Sequence, residues 1–260
     1  MLSITTDFVA DTGDPAPSLK AIGEAGFTHI HWCHHWNTDF LYSTCEVEQI
    51  ATWLDEFGLK LLDLHGSDGR EKCWYSPKEY ERQAGMELVR NRIEMAARLG
   101  GDVVIMHIPG EPGSEPLRRS LDELEPWARQ HGVRIAVENG QFPAVRQVLS
   151  AYGPEYVGLC YDCGHGNCIP DGLEQLDDLR ERLISVHLHD NDGKGDLHNP
   201  LFSGTMDWEK LAAIMARSAY AKCVSMEVTM PNSGIEDERE FLATAFETGT
   251  RLTQMIASRK

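Results

Sequence analysis

The sequence predicts an α/β chain folded as a single (β/α)8 TIM barrel over residues 1–260. Three observations point there. Short β-branched, apolar runs alternate with longer amphipathic stretches from end to end, as expected of parallel strands buried on both faces. Several strands share one approach, a helix closed by glycine with the strand starting at once or a residue later: Gly26-Phe27, Gly58-Leu59, Gly101-Asp102-Val103 and Gly132-Val133. That is the αβ loop of a repeating unit. Finally, chemistry-bearing residues recur at strand C-terminal ends all along the chain, not at one switch point, and no G-x-G-x-x-G follows the first strand. Both features argue against a doubly wound dinucleotide fold and for no nucleotide cofactor.

In order, the strands are expected at 2–5, 27–31, 59–65, 103–107, 134–138, 157–162, 184–189 and 223–227. Helices are expected at 45–57, 79–99, 117–131, 173–183, 208–216 and 237–258. In the first of these helices Val47, Ile50, Ala51, Leu54 and Phe57 recur at helical spacing, and Gly58 stops it. Gly100-Gly101 ends the second and Gly132 closes the third. No linker or low-complexity segment suggests a domain boundary.

Composition narrows the partners. The 260 residues carry 41 acidic against 24 basic side chains, a net charge of −17. That field repels a polyanion, so no nucleic-acid partner is expected. No apolar stretch approaches the roughly 20 residues that cross a bilayer, so no membrane partner is expected. The N-terminus has an acid at Asp7 and no basic run, unlike a signal peptide. Seven cysteines without regular spacing suit a reducing compartment, which suggests a cytoplasmic protein. A homo-oligomer is compatible with all of this.

The chemistry lies at the strand ends. The last residues of six strands are His65, His107, Glu138, Asp162, His187 and Glu227. In a barrel these positions converge on the C-terminal mouth, where active sites of this fold lie. Taken singly, each has a plainer reading as a hydrogen-bonded or solvated side chain. Together they place several acids in one low-dielectric mouth, where they repel one another unless a cation neutralises them. His165, in Asp162-Cys163-Gly164-His165, and the pair Asp196 and His198 lie just beyond. Mixed imidazole and carboxylate ligation suits Zn2+, Mn2+ or Co2+, and a carboxylate-dominated subset also suits Mg2+.

At this point the sequence resembles the xylose isomerase-like, AP-endonuclease family 2 barrels, among them sugar phosphate isomerases and epimerases. The resemblance rests on His107 with Pro109-Gly110, Glu138-Asn139, Asp162-x-Gly164-His165, His187-x-His189-Asp190-Asn191 with Asp196-x-His198, Gly204 to Trp208, and Met226-Glu227-Val228. It implies one metal held by Glu138, Asp162, His187 and Glu227, as in the sugar isomerases. In the endonuclease IV branch three zinc ions use a larger set, matched here by His65, His107, His165, Asp196 and His198 as well. A glycine common in the family two residues before Gly204 is Phe202 here, so the loop over the site should have its own shape.

The expected function is a metal-dependent sugar, polyol or keto-sugar isomerase or epimerase, with a small carbohydrate as substrate and an enediolate on its path. Glu138 and Glu227 are the candidate acid/base pair, by resemblance. His34, Trp36, His165 and Lys194 are candidate substrate contacts. The cluster His29, His31, Trp32, His34, His35 and Trp36 reads equally as a packed rim loop or as one wall of a sugar pocket. Arg70, Lys72 and Lys194 have phosphate-binding chemistry but no glycine-rich cradle beside them. Cys160-x-x-Cys163 reads as two buried thiols. A dehydratase or lyase acting on a keto-sugar or inosose would share the first step; the alternatives are an endonuclease IV-like phosphoester hydrolase and a non-catalytic subunit that binds metal and sugar.

Overall fold

The computed structural model describes residues 1–9, 13–67, 69 and 71–260, so Arg70 lies outside the described residues. Eight strands form one parallel sheet: β1 (Leu2–Thr5), β2 (His29–Trp32), β3 (Lys60–His65), β4 (Val103–Met106), β5 (Arg134–Glu138), β6 (Val157–Asp162), β7 (Leu183–His187) and β8 (Val224–Met226). They pair in the order β7-β6-β5-β4-β3-β2-β1-β8. The two outermost strands meet through one parallel bridge between Leu188 and Met226. There the Leu188 N–H donates to the Ser225 carbonyl and the Glu227 N–H to the Leu188 carbonyl, both at 3.1 Å. The expected (β/α)8 barrel is what forms, nearly closed.

Helices α1 (Ala16–Glu24), α2 (Thr44–Glu56), α3 (Glu79–Arg98), α4 (Glu115–His131), α5 (Phe142–Ala151), α6 (Cys163–Asn167), α7 (Gly172–Leu179), α8 (Trp208–Ala216) and α9 (Glu238–Ala257) fill the connections. Local chemistry sets their ends. Ser43 and Glu46 form a reciprocal capping box at the start of α2. Gly132 takes a left-handed φ of 65° at the end of α4. Asp207 and Asp237 cap α8 and α9 through the amides of Lys210 and Glu240. Among the described residues no helix is long and apolar enough to cross a membrane.

Most boundaries fall within two residues of expectation, and the largest departure lies before β7. The helix expected at 173–183 stops at Leu179, a 3-10 turn (Arg180–Arg182) follows, and Leu183 opens β7. That strand in turn ends at His187, two residues early, because after its one bridge at Leu188 the chain leaves the barrel wall.

The barrel interior decides where the chemistry goes. Its apolar part is a small cluster of Val103, Ile105, Ala136, Cys160 and Ile184, separate from the main core between sheet and helices. Its polar part includes Asp63 and Ser185, whose side chains bond to each other although β3 and β7 are not neighbours in the sheet. Side chains alternate faces along a strand. Two residues beyond Asp63, Ile105, Ala136, Cys160, Ser185 and Ser225 stand His65, His107, Glu138, Asp162, His187 and Glu227. The six chemical residues are therefore the next inward layer, at the mouth.

Among the described residues the seam between β7 and β8 carries two backbone hydrogen bonds, so it should open more readily than the continuous ladders. Native-state hydrogen exchange is expected to show faster exchange at the Leu188 and Glu227 amides than in the β5–β6 ladder; equal protection would mean that the seam is as strong as the rest of the sheet.

Candidate metal centre

Strand register brings the first four ligand candidates together. Asp162 and His187 are direct partners across β6 and β7. Glu138 ends β5 opposite Cys160, two residues short of Asp162. Glu227 follows β8 at the seam. His187 sits at the centre: its Nδ1 is 3.3 Å from Glu138 Oε1, 3.9 Å from Asp162 Oδ2 and 3.1 Å from Glu227 Oε2. All four residues are buried.

A second group shares Glu138. His107 Nε2 lies 3.1 Å and His65 Nε2 3.5 Å from its Oε2. The Trp36 ring packs beside both histidines, with centroid separations of 4.5 Å to His65 and 5.5 Å to His107. A third group forms around the half-exposed Asp196. His198 Nε2 is 3.0 Å and His165 Nε2 3.3 Å from its Oδ2, and His189 Nε2 is 3.5 Å from its Oδ1. His189 Nε2 also faces both oxygens of Asp162 at 3.1 Å, and its ring stacks on that of His198 with centroids 4.1 Å apart. The nine expected metal-site residues thus all converge, in groups linked through Glu138, Asp162 and Asp196.

The donor set fits a cation. Three histidines direct Nδ1 at a backbone carbonyl: His65 at Gly66, His165 at Asn139 and His198 at Glu227, at 3.1, 3.0 and 2.7 Å. With Nδ1–H as donor, each ring turns Nε2 toward a carboxylate of the mouth, which is how ligating histidines are ordinarily held. Glu138 Oε2, met only by the ion-pair approaches of His107 and His65, and His187 Nε2 are buried without a well-aligned hydrogen bond, and buried polar atoms rarely go unmatched. The electrostatics agree. Burial pushes the Glu138 carboxyl up, but the imidazoles of His187 and His107 outweigh it and hold it well below the usual carboxylate range. Glu227 is likewise held low by His187, His31 and His198 against its burial. Burial opposes a proton on His165 and His198, yet the surrounding carboxylates raise both to about 10.

The candidate substrate contacts separate. Trp36 is at the mouth. His34 is buried and lines a cavity of about 130 Å³ with Trp32, Phe40, Tyr42 and Trp53, beside α2. Lys194 is exposed on the loop after β7, and the Lys72 ammonium meets the Asp39 carbonyl at 3.4 Å. Cys160 and Cys163 are buried free thiols.

Sequence reasoning assigned no ligand-shell role to His31, Asp63 or His189. The signal for His189 was its place two residues after His187, which in an extended segment means the same face. A side chain on Gly164 would run into the His189 ring, so the glycine keeps that imidazole against Asp162.

The chain belongs to the xylose isomerase-like TIM barrel family, whose description matches residues 19–245. It is 31% identical to the uncharacterized protein y4fM of Sinorhizobium fredii, over 93% of this chain and 89% of that one. Among solved structures it resembles a D-tagatose 3-epimerase-like protein, with a TM-score of 0.79 at 17% identity, covering 99% of this chain and 98% of the other. It also resembles the IOLI protein, solved with a zinc atom, with a TM-score of 0.73 at 16% identity over 100% and 99%. At those identities the likeness establishes the fold.

Because the surrounding carboxylates raise His165 and His198 to about 10, a cation taking their nitrogens must displace protons. Calorimetric titration with Zn2+ in buffers of different ionisation enthalpy is expected to show net proton release at neutral pH, and affinity rising with pH toward 10. Binding without proton release would mean that neither imidazole is used. For the metal-free protein the sign is the reverse: these raised pKa values stabilise the fold fully below 6.5, and that contribution fades as pH climbs through about 10.

Proposed function

We propose that the protein is a divalent-metal-dependent isomerase or epimerase of a small sugar, polyol or keto-sugar, working by proton transfer beside a carbonyl. The observation that carries this reading is the pair of buried glutamates flanking one imidazole, Glu138 Oε1 at 3.3 Å and Glu227 Oε2 at 3.1 Å from His187 Nδ1. They come from strands three positions apart round the barrel, so a substrate between them meets a carboxylate on either side.

Glu138, Asp162, His187 and Glu227 are the residues that would hold the cation, which when bound supplies Lewis-acid polarisation of a carbonyl and its neighbouring hydroxyl. Glu138 and Glu227 would take a proton from the carbon next to that carbonyl and return one to the other face. Both carboxyls are held low and so ionised, which lets either one accept; the one that returns a proton must first take it up from solvent. Trp36 offers an aromatic wall beside the site for sugar C–H groups. His165, on the opposite flank, would orient a hydroxyl. Support comes from the family and from the epimerase-like and zinc-containing structures that share the fold.

The test is solvent deuterium incorporation next to the carbonyl, across a panel of ketoses, aldoses and inososes with Mn2+, Co2+ or Zn2+ added. Glu138→Gln and Glu227→Gln should each stay folded and lose at least about 10²-fold in turnover, the low end of what a positioned acid or base supplies. A near wild-type rate in either variant removes that residue from the role. Chelation should abolish turnover, with recovery on adding metal back.

A second reading, metal-dependent phosphoester hydrolysis, is favoured by the convergence of His65 and His107 on Glu138 and of His165 and His198 on Asp196. Against it stands the net charge of −17, since phosphate contacts along DNA need lysines and arginines on one face. DNA with abasic sites should be neither bound nor nicked at physiological salt; specific, metal-dependent nicking would promote this reading over the first.

A further inference from the structure

Beneath the mouth the barrel holds a polar group that the proposed chemistry leaves unused. His31 on β2 and Asp63 on β3 are fully buried and joined Nδ1 to Oδ1 at 2.9 Å. The Ser185 hydroxyl on β7 donates to the other Asp63 oxygen, so both carboxylate oxygens are engaged and the imidazole is fixed in its plane. The remaining ring nitrogen, His31 Nε2, has no hydrogen-bond partner and lies 3.7 Å from Glu227 Oε1. Cys33 Sγ faces that same oxygen at 3.9 Å.

The two oxygens of Glu227 therefore keep different company: Oε1 faces the interior, and Oε2 faces His187 at 3.1 Å. A buried imidazole–carboxylate pair is costly to desolvate and adds little stability over well-packed apolar side chains. Its position directly behind a mouth carboxylate gives it a purpose that packing does not.

We propose that His31, held by Asp63 and Ser185, is a positioning residue that fixes the Glu227 carboxylate with Oε2 turned to the cation site. This rests on the reading that Glu138, Asp162, His187 and Glu227 hold a divalent metal. The test is calorimetric titration of the whole chain with Mn2+ alone, for wild type, Asp63→Asn, Glu227→Gln and the double variant. Asp63→Asn is expected to weaken binding by ~10- to 100-fold, the usual cost of losing an outer partner of a ligand. In the Glu227→Gln background the same change should cost no more than about twofold, since the two substitutions act through one carboxylate. An unchanged affinity in Asp63→Asn, or an undiminished loss in the Glu227→Gln background, would overturn the proposal, the latter by showing that Asp63 acts on the fold at large. If Asp63→Asn does not fold, Ser185→Ala loosens the same tether and is carried through the same cycle, with the same outcomes decisive. A wild-type chain that binds neither Mn2+ nor, in the same kind of titration, Zn2+ or Co2+ would remove the metal reading itself and this inference with it, whereas the other failures remove the inference alone.

Discussion

Three buried carboxylates, Glu138, Asp162 and Glu227, share one mouth, and the surrounding structure is organised by the need to hold their charge. Two like charges about 4 Å apart repel by about 4 kcal/mol at an effective dielectric near 20. Left alone, some of these groups would take up protons. Instead they are met by imidazoles: Glu138 has nitrogens of His107, His187, His65 and His165 within 3.5 Å. Of these rings His65 and His165 are themselves pinned by backbone carbonyls, of Gly66 and Asn139, which holds that part of the cluster in place. A divalent cation is the simplest species that would balance this many anionic oxygens while using the nitrogen lone pairs turned toward them.

The fold gives up stability to make this arrangement. Part of the barrel interior is apolar, but Ser3, His31, Asp63, Ser185 and Ser225 stand where branched aliphatic side chains would pack. The loop after β7 carries more strain. His198 and Phe202 both have left-handed backbone, with φ of 51° and 69°, a conformation that costs a residue with a side chain on the order of 1–3 kcal/mol. Each is held by what surrounds it. His198 is bound to the Glu227 carbonyl and stacked on His189. Phe202 lies under the Arg251 guanidinium, 3.9 Å from the ring centroid, and beside Trp208. The family's usual glycine at that place is explained by the φ, and the phenylalanine is kept there by cation–π and aromatic contacts from α8 and α9.

Much of this was legible in the residues. Strands β1, β5 and β6 fall at their expected limits, each a short run that ends on a polar residue, Thr5, Glu138 or Asp162. The six strand-end residues were legible for the same reason, since the barrel fixes where strands end. Helices α1 and α5 were not read: each is short and opens on a proline at its first turn, where a start signal is present but no long periodicity follows. Helix α6 spans only five residues, two of them glycine, and is held by the Asp162 side chain accepting from the His165 amide. The His31–Asp63 pair escaped notice because its meaning is long-range. An aspartate inside Leu61-Leu62-Asp63-Leu64 reads as an anomaly until β2 and β7 are brought against it.

The chemistry of the mouth turns on whether Glu138, Asp162, His187 and Glu227 hold a divalent cation tightly. Elemental analysis of the dialysed protein, wild type against Asp162→Ala, tests it most directly. At least about one equivalent of a transition metal is expected in the wild type, lost in Asp162→Ala although that variant remains folded, because a multi-ligand site fails when one ligand is removed. A wild type that carries no metal and takes none up from Zn2+, Mn2+ or Co2+, or an Asp162→Ala variant that keeps its full complement, would contradict it.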